Sequence, residues 1–261
     1  MRIGFFDSGI GGLSVLRHAL QHISGAEFVY VADSAFAPYG DRPAEWVRQR
    51  SLYIARFLQQ QGLDALVIAC NTATALAAEL IREELTLPVI AMEPAIKPAA
   101  GLTRSGRVGV LATATTLAST RYKDLCRRYA SGVELFEYAP HHWVEQIEQG
   151  GHLQPKFTES LAKELSDMLQ QGVDTWVLAC THFPFIAQQL QQILGPDAQI
   201  IDPAPAVIAQ MKRCLPALAT NSQNISSVQL LTSGDLARVS QQAGRFLGQK
   251  LMAKSLPCAH G

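Results

Sequence analysis

The chain repeats itself, and the repeat limits the fold more than any other feature. Leu63-Asp64-Ala65-Leu66-Val67-Ile68-Ala69-Cys70-Asn71-Thr72 reads like Val173-Asp174-Thr175-Trp176-Val177-Leu178-Ala179-Cys180-Thr181-His182, about 110 residues further on. At nearly the same offset Arg2-Ile3-Gly4-Phe5-Phe6 is answered by Arg107-Val108-Gly109-Val110-Leu111, and Ile90-Ala91-Met92-Glu93-Pro94-Ala95 by Ile200-Ile201-Asp202-Pro203-Ala204. Short apolar runs alternate with longer segments of helical period, the pattern of parallel strands joined by crossover helices. Strands are predicted at 2–7, 27–32, 64–70, 88–92, 107–112, 133–138, 174–180 and 198–202, each with a helix after it. In the first helix Leu13, Leu16, Leu20 and Ile23 share the face over the sheet, while Arg17 and Gln21 face water. The class is α/β, with two similar domains of mostly parallel sheet flanked by helices. Ligands of such sheets bind at the carboxyl ends of the strands, so domains set face to face place the active site in the cleft between them, with Cys70 and Cys180 meeting across it.

Each of these cysteines ends an apolar strand and precedes a polar pair, Asn71-Thr72 or Thr181-His182, that opens a helix or a turn into one. Unpaired N–H groups at a helix start stabilise negative charge, so they can lower a thiol pKa or hold a carboxylate. A thiol with an ordinary pKa of about 8.5 is a few per cent thiolate at neutral pH, and a downward shift of about one unit changes that several-fold. A lone cysteine behind apolar residues is more often a small buried hydrophobe. Two at equivalent positions of two repeats point instead to paired acid–base chemistry. Cys126, Cys214 and Cys258 lack that setting and read as structural.

The first strand runs into Asp7-Ser8-Gly9-Ile10-Gly11-Gly12-Leu13-Ser14-Val15, a glycine-rich loop opening a helix. Gly9 and Gly11 fit the first two glycines of a dinucleotide fingerprint, and Asp33 lies near the place of a ribose-binding acid, or could cap a helix. Ser14 stands at the third glycine position, however, and Asp7 would face the pyrophosphate, so nicotinamide binding is not expected. The glycines instead let the backbone approach a small ligand, with Asp7 and Ser8 reaching it. His141-His142 are adjacent and lack cysteine or acid partners at usable spacing, so no metal is expected.

Composition removes other classes. With 261 residues, 48% of them hydrophobic, the chain can bury a large core, and 22 basic and 22 acidic residues lie interspersed and cancel. No strong field draws it to nucleic acid or an anionic membrane. No apolar run approaches the ~20 residues that span a bilayer, and the opening Met1–Asp7 reads as a strand, not a secretory signal. The five cysteines are scattered without CxxC spacing, as expected of free thiols in a cytoplasmic protein.

Four segments together carry a family likeness: Phe6-Asp7-Ser8-Gly9-Ile10-Gly11-Gly12-Leu13-Ser14-Val15, Ala37-Pro38-Tyr39-Gly40 with Arg42-Pro43, Ala69-Cys70-Asn71-Thr72-Ala73, and Leu178-Ala179-Cys180-Thr181-His182-Phe183-Pro184. Over nearly its whole length the chain resembles the glutamate racemases of the cofactor-independent aspartate/glutamate racemase family. The resemblance implies interconversion of L- and D-glutamate, supplying D-glutamate for peptidoglycan, with neither pyridoxal phosphate nor metal. One cysteine thiolate removes the α-proton while the opposite thiol protonates the other face. It implies that Cys70 acts on D-glutamate with help from Asp7, and Cys180 on L-glutamate with help from His182. Substrate contacts are implied for Asp7, Ser8, Tyr39, Gly40, Asn71, Thr72, Thr116, Thr181 and His182. Two segments depart from the common pattern. A Gly-Thr-x-Gly-Thr turn is replaced by Ala112-Thr113-Ala114-Thr115-Thr116, and the assisting glutamate is matched nearest by Glu148 in Ile147-Glu148-Gln149-Gly150. The family plan puts residues 1–96 with 207–261 in one domain and 97–206 in the other, and a homodimer is the expected assembly.

The α-proton of an amino acid is a very weak acid, and each acid–base group supplies only about 10²- to 10⁴-fold. Donors around the carboxylate must add to this as charge builds there. Ser8 and the polar pairs after both cysteines are candidates, with Asp7 to hold the ammonium; the motifs carry no cation beyond Arg42. Rival readings are a racemase, isomerase or decarboxylase of the same wider group acting on another small acid such as aspartate, a cysteine hydrolase using Cys180, and a non-catalytic amino-acid-binding module.

Overall fold

A computed structural model describes residues 1–215 and 225–257; Cys258 lies outside them. The chain runs through β1 (Arg2–Asp7), α1 (Leu13–His22), β2 (Glu27–Ala32), α2 (Ala44–Gln59), β3 (Ala65–Ile68), α3 (Asn71–Glu84) and β4 (Val89–Ala91). It continues through α4 (Ile96–Leu102), β5 (Arg107–Ala112), α5 (Ala114–Ala118), α6 (Thr120–Tyr129), β6 (Glu134–Tyr138), α7 (Trp143–Gln149) and α8 (Pro155–Gln170). The last part holds β7 (Thr175–Ala179), α9 (Ala187–Leu194), β8 (Gln199–Ile201), α10 (Ala204–Cys214), β9 (Ser227–Thr232), α11 (Leu236–Leu247) and β10 (Ala253–Ser255).

These elements form two parallel sheets, ordered β10-β9-β2-β1-β3-β4 and β6-β5-β7-β8. The chain divides into two compact units, Met1–Met92 with Ala204–Gly261, and Glu93–Pro203. Several strands end a residue or two inside their expected limits. Cys70, for instance, caps α3 instead of closing β3. β9 and β10 extend the first sheet beyond β2 and were not expected. Their sequences explain this: Ser227-Val228-Gln229-Leu230-Leu231-Thr232 is a mixed polar run, and β10 has three residues.

Each unit has its own core. In the first, Val47, Ile54 and Leu58 of α2 and Ala77 and Ile81 of α3 cover Phe6, Val29, Val31, Leu66 and Ile68 of the sheet. In the second, Ile96, Ala99 and Tyr122 cover Val108, Val110 and Val177. Continuous burial of β1, β2, β3, β5 and β7 follows from helices on both faces of a parallel sheet. In α1, Leu13 and Leu16 are buried but Leu20 is only half-buried. Arg17 corrects the expected water-facing stripe: it is half-buried, its guanidinium 4.5 Å above the ring of Phe246. Long charged side chains cover apolar surface in this way. Among the described residues, no helix is long and apolar enough to cross a membrane.

Candidate active site

Both sheets place a switch point beside their first strand. From β1 the chain crosses to β2 on one side and then to β3 and β4 on the other; β5, β6, β7 and β8 repeat the pattern. A crevice forms outside the carboxyl ends where the winding direction changes. Asp7-Ser8 at the end of β1 and Cys70-Asn71-Thr72 after β3 therefore converge at one such point, and Thr113–Thr116 after β5 and Cys180-Thr181-His182 after β7 at the other.

In the first unit Cys70 is the N-cap of α3, and its Sγ accepts the Ala73 N–H at 3.4 Å. This bond and the helix dipole favour the thiolate. Ser8 Oγ lies 3.8 Å from the same sulfur. Asp7 is fully buried, and its Oδ2 accepts the Gly9 N–H at 3.0 Å, which ties down the glycine loop. Tyr30 donates to the Gly9 carbonyl at 2.9 Å. A Cβ on Gly12 would lie 2.8 Å from Ala69 Cβ, 2.9 Å from Asp7 Cβ and 2.9 Å from Tyr30 Oη. Gly12 is thus required by the protein's own packing, and no ligand is needed to explain it. Asn71 and Thr72 are buried, and neither Nδ2 nor Oδ1 of Asn71 has a hydrogen-bond partner among the described residues. Buried amides are almost always satisfied, so an orphaned one beside a thiol marks a place for a polar ligand.

Asp33 is fully buried and caps no helix, which corrects that reading of it. Arg50 donates to its two carboxylate oxygens, Nη2 at 2.6 Å and Nε at 2.8 Å, and Tyr39 Oη donates to Oδ2 at 2.6 Å. Burial, the Asp33 charge and hydrogen bond, and the nearby Cys70 hold the Tyr39 pKa well above its ordinary value. Gly40 follows in a 3-10 turn, half-buried. Arg42 is exposed and stacks on Trp46. Arg50 escaped the reading of motifs, although an arginine within the apolar stripe of Val47, Ile54 and Leu58 was a usable signal.

The second unit supports its thiol differently. Cys180 precedes a 3-10 turn, Phe183–Ile186, and its Sγ lies 3.9 Å from His182 Nδ1, with Thr181 Oγ1 3.5 Å from the same nitrogen. His182 Nε2 meets Glu148 Oε1 at 2.6 Å, and both residues are buried. Burial alone would keep the imidazole neutral. Its bonds to Cys180 and Glu148, with their charges, outweigh burial and raise the pKa well above the ordinary value. Glu148 is held by α7, just before the left-handed Gly150 that ends the helix. Thr116, 1% exposed, is fixed by Thr113, whose Oγ1 accepts the Thr116 N–H at 3.2 Å and lies 2.9 Å from its hydroxyl. Cys126 is half-buried and Cys214 exposed, both away from the switch points.

A duplicated parallel α/β fold with a buried thiol at the switch point of each half defines the class. A family model described as Asp/Glu/Hydantoin racemase matches residues 12–211. Glutamate racemase of Methylococcus capsulatus is 43% identical over 94% of this chain and 90% of its own length. A glutamate racemase isoform of Bacillus anthracis superposes with a TM-score of 0.87 at 27% identity, covering 97% of this chain and 96% of that one. The Escherichia coli glutamate racemase, solved with L-glutamate and the activator UDP-MurNAc-ala, gives 0.84 at 29% identity, covering 98% and 97%. The chain belongs to the Asp/Glu/Hydantoin racemase family, in the branch of the glutamate racemases, which are isomerases.

Proposed function

We propose that this enzyme interconverts L- and D-glutamate by passing the α-proton between the substrate and two thiols, Cys70 and Cys180. The observation that carries the reading is the equivalent placement of two buried sulfurs at the switch points of two like sheets, each with its own charge-stabilising partner. In one direction the Cys70 thiolate takes the α-proton of D-glutamate, and the Cys180 thiol gives its proton to the opposite face. The product is L-glutamate, with Cys70 as thiol and Cys180 as thiolate. The reverse reaction exchanges these roles. Asp7 assists Cys70 and pairs with the substrate ammonium. His182, backed by Glu148, assists Cys180. Ser8, Asn71, Thr72, Thr116 and Thr181 supply polar contacts that hold the two carboxylates and stabilise charge as the proton leaves, while the Tyr39-Gly40 turn holds the substrate in place.

The product D-glutamate serves peptidoglycan synthesis in the cytoplasm. A homodimer is the assembly, to be checked by equilibrium sedimentation; a monomer at working concentration removes that part. The main test follows α-hydrogen exchange of each enantiomer in deuterated buffer, with L-aspartate in parallel. Both glutamate enantiomers should gain deuterium and racemise, and Cys70→Ser or Cys180→Ser should lower racemisation at least ~10³-fold. Retained activity in Cys70→Ser would point to a single-thiol hydrolase. No exchange from glutamate, or turnover of aspartate alone, would defeat the assignment.

A further inference from the structure

A buried ion pair is costly to desolvate and is often replaceable by apolar residues at no loss of stability. The Asp33–Arg50 pair lies in the largely apolar interior of the first unit, with Arg50 4.6 Å from the ring of Phe36 and 5.2 Å from that of Tyr53. Its carboxylate accepts three hydrogen bonds, and the third comes from Tyr39. The Asp33 N–H donates to the Asp7 carbonyl at 3.0 Å, which ties the pair to the end of β1. The Tyr39 ring is held on its side by an edge contact with Trp46, centroids 5.7 Å apart. The phenol is therefore fixed at both hydroxyl and ring, and it packs in the same core cluster as Cys70.

We propose that Asp33 and Arg50 are positioning residues: their ion pair anchors Tyr39 through its hydroxyl and so presets the Tyr39-Gly40 turn beside Cys70. This rests on the reading of that turn as a substrate contact. The Arg50 fork sets the orientation of the carboxylate, the carboxylate sets the phenol, and the phenol sets the backbone that meets the ligand. A contact of that kind holds substrate and transition state alike, so loosening it raises KM and leaves kcat nearly intact.

Steady-state kinetics and thermal melts on the wild type, Arg50→Lys and Tyr39→Phe test it. Tyr39→Phe keeps the ion pair and loses only the anchoring bond, so it guards against a misfolded Arg50→Lys. Both variants should raise KM for glutamate by about 3- to 10-fold with kcat within about twofold, since small displacements of a binding group are costly. Unchanged KM in a folded Tyr39→Phe, or a loss confined to kcat, overturns the inference while leaving the racemase reading intact. A wild type that does not turn over glutamate in the same assay overturns both.

Discussion

Cys70 and Cys180 occupy equivalent places, yet their neighbours differ in kind. A backbone N–H faces the first sulfur and an imidazole the second. Glu148→Gln removes the charge opposite His182. Turnover is expected to fall by about 10²-fold, the low end of what an acid–base group supplies, because the variant weakens the assisting group without deleting the thiol. The same change alters stability in a defined pH window. A histidine with a raised folded-state pKa stabilises the protein fully below its unfolded pKa of about 6.5, and this is lost as pH rises through the folded value. Melting temperatures of the wild type and Glu148→Gln should differ most in mild acid and converge at alkaline pH. Asn71 gives a test of opposite character. Its side-chain amide is buried without a partner among the described residues, so Asn71→Ala should leave the unliganded melting temperature unchanged or higher while KM for glutamate rises about 10-fold or more. A marked drop in stability without a change in KM would show the amide to be structural. The thiols and their polar neighbours were legible because motif and repeat coincide. The Asp33–Arg50–Tyr39 link was not, because its members come from a strand end, a turn and the middle of α2, and only folding brings them together.

The elements show which repeated residues serve the fold alone. Asp64 and Asp174 stand before β3 and β7, opposite the thiols, and both accept backbone N–H groups. Asp64 Oδ2 takes the Arg2 N–H at 2.7 Å, and Asp174 takes those of Arg104 and Ser105 at 2.9 and 2.8 Å. Burial is the largest single effect on Asp174 and pushes its carboxyl up, but the bonds from Thr103, Ser105, Thr175 and Arg104 together outweigh it and lower the pKa to about 2. The stabilisation is present above the unfolded pKa near 3.9 and is lost as pH falls towards 2. Solvent screening leaves roughly 1 kcal/mol of it. Asp174→Asn should accordingly melt a few degrees lower at pH 7 and equal the wild type near pH 2. Gly12→Ala at the start of α1 forces a methyl against Ala69, Asp7 and Tyr30. A cost of about 1–3 kcal/mol is expected, read from denaturant unfolding. The strand pattern was readable where helices cover both faces and every residue is apolar. β9 and β10 escaped because their half-exposed, short sequences carry no such run.

In the whole molecule the sheet order β2-β1-β3-β4 recurs as β6-β5-β7-β8, so the repeat in sequence is a repeat in topology. The second unit is one continuous segment with its own sheet and core. Expressed alone, residues 93–203 should show the circular dichroism of an α/β protein and a cooperative melt; a featureless spectrum would show that this unit depends on the rest of the chain. The first unit is made of two segments, which no local pattern announces; the family resemblance implied it, and the offsets between repeats agree with it. The unlike surroundings of the two sulfurs have one more consequence under the proposed reaction. L- and D-glutamate are mirror images of equal free energy, so the equilibrium constant between them is unity and both directions must share one kcat/KM at any pH. A chiral protein that faces one sulfur with a peptide N–H, which never titrates, and the other with an imidazole, which does, can express that asymmetry only in how the common ratio divides between turnover and saturation.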